Sequence, residues 1–253
     1  MNKYWTMKNA ADDDSVGEIY IYGDIMGQES WWGDGSEVTP TGFKDELDAL
    51  GTLKTLNVYI NSYGGDVFAG HAIFALIKRH EANTVVTVDG IAASAASVIA
   101  VAGDEVIMPT NSMMMIHDPW MIALGDADEM RAAASALDSV KESIVAAYRT
   151  KTDMSETEIA AMMKAETWFT AAQAVENGFA DTVNEMKVNA SMASKSEMIV
   201  NGISVRLDRY KNSPPIETIV GKTPAPAPKD ATEAGDEAAQ TCLLYTSPSP
   251  RDS

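Results

Sequence analysis

The chain has 253 residues, 45% of them apolar, enough for one large domain or two small ones with a substantial core. Nineteen basic residues against 37 acidic ones give a net charge of −18, which disfavours nucleic acid or an anionic membrane as partner and equally suits a plain solvated face. The lone cysteine, Cys242, excludes a disulfide framework, and neither the start MNKYWTMKNAADDD nor any later segment supplies a leader or bilayer-spanning run, so a cytoplasmic protein is expected.

Residues 18–24 (EIYIYGD) alternate as a strand does, after a flexible N-terminus over residues 1–17. A loop rich in Gly, Trp and acids covers 26–40. Phe43, Leu47 and Leu50 predict a helix over 41–50, and 56–60 is again strand-like. A turn at 61–65 leads to a helix whose face is Val67, Gly70, Phe74 and Ile77 and whose end carries Lys78, Arg79 and His80, where positive charge suits the dipole. A strand over 84–88, a turn at Gly90 and a small-residue helix over 94–102 follow, then strands over 105–108 and 113–116. Helices are predicted over 127–150, 155–164 and from Thr170 to Gly178. Met130, Ala134, Leu137, Ile144 and Tyr148 have the spacing of a buried stripe on the longest. Strands alternating with helices predict an α/β fold with mainly parallel pairing, globular over 18–188. Residues 189–241 read as an extension and a Pro/Ala-rich disordered linker. The last twelve, CLLYTSPSPRDS, resemble translated adapter sequence rather than protein evolved to fold.

Four segments can carry chemistry. In NSYGGD a strand ends on two glycines before a helix, which is either a simple turn or half of an oxyanion hole. In GIAASAASVIAVAG, Ser94 stands among alanines at a helix start. It is either an N-cap or a hydroxyl poised beside backbone N–H groups, with Ser97 three residues on as the competing hydroxyl. In SMMMIHDPW, His117 closes an apolar strand, a place where catalytic groups of α/β proteins sit and where structural histidines also occur. Asp118 should point to the opposite face from its neighbour. His71 and His80, on and at the end of a helix, read as structural or solvated. In AETWFTAAQAVENGFAD, Glu166 is either a surface carboxylate or an acid on a loop that could return toward His117.

The order and content of these segments resemble the Clp protease proteolytic subunit (ClpP), whose pattern is INSPGG, G-x-A-A-S, M-I-H-x-P, then a late acid ahead of an EA-x-x-x-G-[LF]-x-D stretch. INSYGGDVFAG, DG-x-AASAAS, ETWFTA and VENGFAD are more closely similar to the ClpP-related head maturation (prohead) proteases of tailed bacteriophages. The resemblance implies a crotonase-type spiral of strand–strand–helix units. It implies Ser94 as nucleophile, His117 as base, Glu166 as the acid where relatives carry Asp, and backbone N–H groups of Gly64 and Ala95 as the oxyanion hole. Asp153 is the alternative acid. Tyr63 stands where the family has Pro. The resemblance further implies a homo-oligomeric ring stacked through the helix over 127–150, capsid and scaffold proteins as substrates inside an assembling prohead in the host cytoplasm, and no metal or other cofactor.

Four other functions compete. A host Clp-type subunit would be fed by an ATP-driven unfoldase. A signal-peptide-peptidase-like enzyme would use Lys141, Lys151 or Lys164 as base. A scaffold or shell component would carry a vestigial site. Acyl-CoA chemistry, found elsewhere in the superfamily, would use oxyanion donors without this Ser–His pair.

Overall fold

The computed structural model describes residues 7–10, 13–28, 37–185, 190–194, 197–200 and 203–206, and side chains within 15–28 and 37–185. The chain divides into two units, Met1–Lys222 and Thr223–Ser253, and every described residue lies in the first. Its elements in chain order are β1 (Met7–Ala10), β2 (Asp13–Tyr22), α1 (Pro40–Ala49), β3 (Thr55–Ser62), α2 (Val67–Arg79), β4 (Asn83–Ala93), α3 (Ala95–Ala100), β5 (Glu105–Pro109) and β6 (Met113–Ile116). They continue with α4 (Ala127–Tyr148), α5 (Glu156–Lys164), β7 (Thr167–Thr170), α6 (Ala171–Glu176), β8 (Thr182–Asn184), β9 (Ala190–Ser194), β10 (Glu197–Val200) and β11 (Ile203–Arg206).

Strands β2, β3, β4, β5 and β8 pair in parallel, each with the next. β1 adds to β2 antiparallel, while β6 leaves β4 in parallel and pairs β7 antiparallel. Alternate residues of β2, β3 and β4, among them Ile19, Ile21, Val58, Ile60, Val86 and Val88, are fully buried, and Phe43 and Ile73 of α1 and α2 are buried with them. This is the α/β architecture, mostly parallel and with helices between strands, of the crotonase-type spiral expected from the sequence.

Four expectations are corrected. Gly90 is not a turn. β4 runs straight through it, because Val85–Thr87 pair with β5 whereas Ile91–Ala93 pair with β6, and a residue without a side chain sits at the hand-over. At the N-terminus, sheet structure starts before Glu18: β2 begins at Asp13, and Met7–Ala10 pairs with it. The extension over 189–241 contains a three-stranded antiparallel sheet, β9 to β11, in which Val200 pairs with Ile203. The predicted linker over 222–239 and the adapter-like end lie outside the described residues. Finally, the stripe on α4 is buried only at its C-terminal end, through Ile144 and Tyr148. Met130 and Ala134 are exposed and Leu137 half-buried, because only the last turns of α4 dock on the core.

Candidate active site

Ser94 stands between β4 and α3 with φ 55° and ψ −125°, a region sparsely populated by residues with a side chain. Such a conformation costs about 1–3 kcal/mol and persists only where the surroundings hold it. Here the Ser94 N–H donates to Met115 O of β6 at 3.0 Å, and its carbonyl accepts from Ser97 N at 3.0 Å. Although Ser94 occupies the N-cap position of α3, its side chain makes no capping bond. Oγ instead lies 2.8 Å from His117 Nε2. Of the two readings open for Ser94, an N-cap side chain is therefore excluded by geometry.

His117 follows directly on β6. Burial holds its imidazole below the ordinary histidine value, opposed by the charges of Glu166 and, more weakly, Asp118. The antiparallel β6–β7 register explains that order. Met113 pairs with Thr170 and Ile116 with Thr167, so His117 and Glu166 each stand one residue beyond the same paired end of β6 and β7. The Met163 carbonyl accepts from the backbone N–H groups of both Asp118 and Glu166, at 3.1 and 3.0 Å, which ties the two segments together. Glu166 itself has φ 52°, and Trp168 Nε1 donates to its Oε1 at 3.4 Å. Asp118 Oδ1 lies 2.7 Å from Lys141 Nζ, an ion pair whose angle falls outside hydrogen-bonding geometry. Asp153 is exposed in the α4–α5 connection. Lys151 lies against Asp181 at 2.5 Å and Lys164 is exposed, so the three lysines weighed as bases are paired with carboxylates or turned to solvent. His71 Nε2 meets Ser143 Oγ at 3.2 Å, and His80 Nδ1 accepts from Ala82 N at 3.2 Å.

The glycine pair between β3 and α2 comes against the nucleophile segment. A Cβ on Gly64, whose φ is 91°, would stand 2.7 Å from Ala95 N and 2.9 Å from Ser94 Cβ, so only glycine permits this approach. The expected use of the Gly64 N–H as an oxyanion donor needs correction, because that N–H donates to Ser62 Oγ at 3.1 Å. Ser62 in turn donates to Gly23 O at 2.5 Å, so the contact belongs to a staple that shapes the turn. The Gly64 carbonyl accepts from Ile25 N at 2.9 Å. Gly65, the second glycine of the pair, lines the same cavity, and neither its N–H nor that of Ala95 meets a protein acceptor among the described residues. The signal for Gly65 was present in the dipeptide itself; choosing between two adjacent amides requires knowing which one Ser62 occupies.

Ser94 and His117 open on a mostly apolar cavity of about 630 Å³. Tyr63, Val67, Val98, Leu137, Ile144 and Tyr148 contribute to its wall, and Phe68 and Trp120, 68% and 74% exposed, also border it. Such a space accepts an extended chain with an apolar side chain beside a reactive carbonyl. Among the described residues no group of three His, Cys, Asp or Glu could hold a metal ion, and no helix is long and apolar enough to cross a membrane.

Residues 46–187 match the Clp protease family. The chain is 31% identical over 140 residues to an ATP-dependent Clp protease proteolytic subunit of Bacteroides fragilis, covering 54% of this chain and 67% of that protein. It is 35% identical over 147 residues to the subunit of Ligilactobacillus salivarius (56% and 73%) and 33% identical over 135 residues to subunit 2 of Treponema denticola (52% and 67%). In the proteins of Bacteroides thetaiotaomicron and Porphyromonas gingivalis the matched part spans 63% and 64%, somewhat under two thirds of the relative.

Proposed function

The chain belongs to the Clp protease family, and on that footing we propose that it is a serine endopeptidase with Ser94 as nucleophile and His117 as general base. The observation that carries this is the 2.8 Å contact between Ser94 Oγ and His117 Nε2 beside an apolar cavity. His117, kept neutral near pH 7 by burial, takes the Ser94 proton as Oγ attacks a peptide carbonyl. Glu166, in the turn just ahead of β7, supports the imidazolium. The N–H groups of Ala95 and Gly65 receive the developing oxyanion. The amine leaves with the proton from His117, and a water activated by the same imidazole releases the acyl group. Bond cleavage is complete without a metal or nucleotide.

The biological setting we favour is phage head maturation, with capsid and scaffold proteins as substrates and a homo-oligomeric ring as the working form. Support comes from the branch-specific segments INSYGGDVFAG, ETWFTA and VENGFAD, the insertion over 26–40, and the chain that continues past residue 189. The relatives' description as ATP-dependent subunits favours a second reading, a proteolytic subunit served by an unfoldase.

Two experiments separate these. Wild type should cleave a denatured protein and a fluorogenic peptide, and Ser94→Ala should lower turnover by at least about 10³ while the fold persists. A wild type without hydrolysis would leave only the vestigial shell component. Co-expression with a phage capsid and scaffold pair should give processed capsid without ATP. Degradation of folded protein only with ATP and an unfoldase would decide for the second reading.

A further inference from the structure

The Ser94 carbonyl is held by more than its own helix. Besides Ser97 N at 3.0 Å, it receives the Ser97 hydroxyl at 2.6 Å and, more loosely, Val98 N at 3.4 Å. With its proton given to Ser94 O, Ser97 Oγ is left as an acceptor, and it lies 2.8 Å from the hydroxyl of Tyr148, which therefore donates. Tyr148 belongs to the last turn of α4, 51 positions away in sequence. Both residues are essentially fully buried, at 0% and 1% exposure, and among the described residues Ser97 is the one polar partner of the Tyr148 hydroxyl. The Tyr148 ring packs edge-on against Phe179 at 5.5 Å and forms part of the cavity wall.

We propose that Tyr148 and Ser97 are positioning residues for the nucleophile: a relay from Tyr148 OH through Ser97 Oγ to the Ser94 carbonyl keeps Ser94 in the strained conformation that aims Oγ at His117. This rests on Ser94 acting as nucleophile. A six-residue helix has little stiffness of its own, and relaxation of Ser94 toward ordinary φ would swing its Oγ out of the 2.8 Å contact. A phenylalanine would fill the same space against Phe179 with no buried hydroxyl to satisfy, so what the tyrosine adds is the link to the nucleophile segment. Burial also pushes the Tyr148 phenol well up, so it remains a donor at any working pH. Because its ring lines the cavity, substrate that fills the cavity presses on the same side chain that holds the nucleophile.

The test uses the full-length protein and four variants: Tyr148→Phe, Ser97→Ala, the double substitution, and Ser94→Ala as reference. Two rates are read, phosphonylation by a fluorophosphonate and turnover of a short fluorogenic peptide, with thermal midpoint alongside. Each single variant should lower phosphonylation and kcat about tenfold with KM nearly unchanged, since the cavity wall is intact. The double variant should also lose about tenfold rather than a hundredfold, because removing either hydroxyl already cuts the relay. Wild-type rates in both singles with Ser94→Ala inactive would overturn the relay and leave the nucleophile standing. A lowered thermal midpoint with unchanged rates well below it would show two buried hydroxyls merely satisfying each other, and additive losses in the double would show two independent effects; either result overturns the relay. Retained activity in Ser94→Ala would overturn both the nucleophile and the relay.

Discussion

Replacing Glu166 with glutamine removes one charge and little else, which makes it the sharpest probe of the site. In a serine hydrolase, losing the acid that supports the imidazolium costs on the order of 10⁴ in turnover, about 5.5 kcal/mol. Glu166 is only half-buried, so water shares in stabilising the imidazolium and the expected loss is smaller, about 10²–10³. Asp118 offers the contrast. Its ion pair with Lys141 is partly exposed on both sides, at 38% and 24%, and such pairs contribute about 0–1 kcal/mol. Asp118→Asn should therefore cost less than about fivefold. The pH profile gives a second, independent reading. The Glu166 charge raises the His117 pKa against the effect of burial, so Glu166→Gln should move the acid limb of kcat/KM to lower pH, and Asp118→Asn should move it less. Steady-state kinetics on a fluorogenic peptide between pH 5 and 8 measures both quantities. A large loss for Asp118→Asn beside near-normal Glu166→Gln would refute the register argument. Equal small losses would mean a Ser–His dyad that needs no acid.

Other outcomes follow from the same geometry. Gly64→Ala should abolish activity and destabilise by about 2–5 kcal/mol, from the positive φ and from a Cβ forced within 2.7 Å of Ala95 N; a chemical denaturation curve matching wild type would contradict it. With the His117 pKa depressed by burial, kcat/KM should be near its plateau at pH 7, with an acid midpoint below about 6.5. His71 is depressed by burial as well, so the native state binds fewer protons than the unfolded chain in that range. Stability should be full above about pH 6.5 and fall as the pH drops toward the two folded-state values, measurable by urea titration at pH 5 and 7.5; equal midpoints would refute it. Trp120, Ile122 and Leu124 are 74%, 81% and 91% exposed just ahead of α4, so if the proposed ring forms through this face, Ile122→Ser with Leu124→Ser should shift light scattering toward smaller species, and unchanged scattering would refute that contact.

How much was legible beforehand depended on how local each signal is. Ser155 with Glu158 and Thr170 with Gln173 form capping boxes within four residues, so the starts of α5 and α6 could be read directly. The apolar run Met113–Ile116 and the alternation in β2 likewise revealed strands through short-range periodicity. The pairing of Ser94 with His117 was implied only by the resemblance of the motif order to the Clp protease family, since each segment alone left two readings open. Distant partners were not legible. Thr167–Thr170 has no alternation, and only its pairing with β6 brings the strand end that Glu166 precedes alongside the strand end that His117 follows. Ser97 read as a competitor of Ser94, since nothing near it announces that Tyr148 will come from α4 to receive its company. Which of two glycines keeps a usable N–H was settled by Ser62 turning its hydroxyl inward. Periodicity and caps are properties of neighbouring residues, whereas a proton's acceptor is chosen by whichever chain segment the fold brings alongside, and that choice is made only in three dimensions.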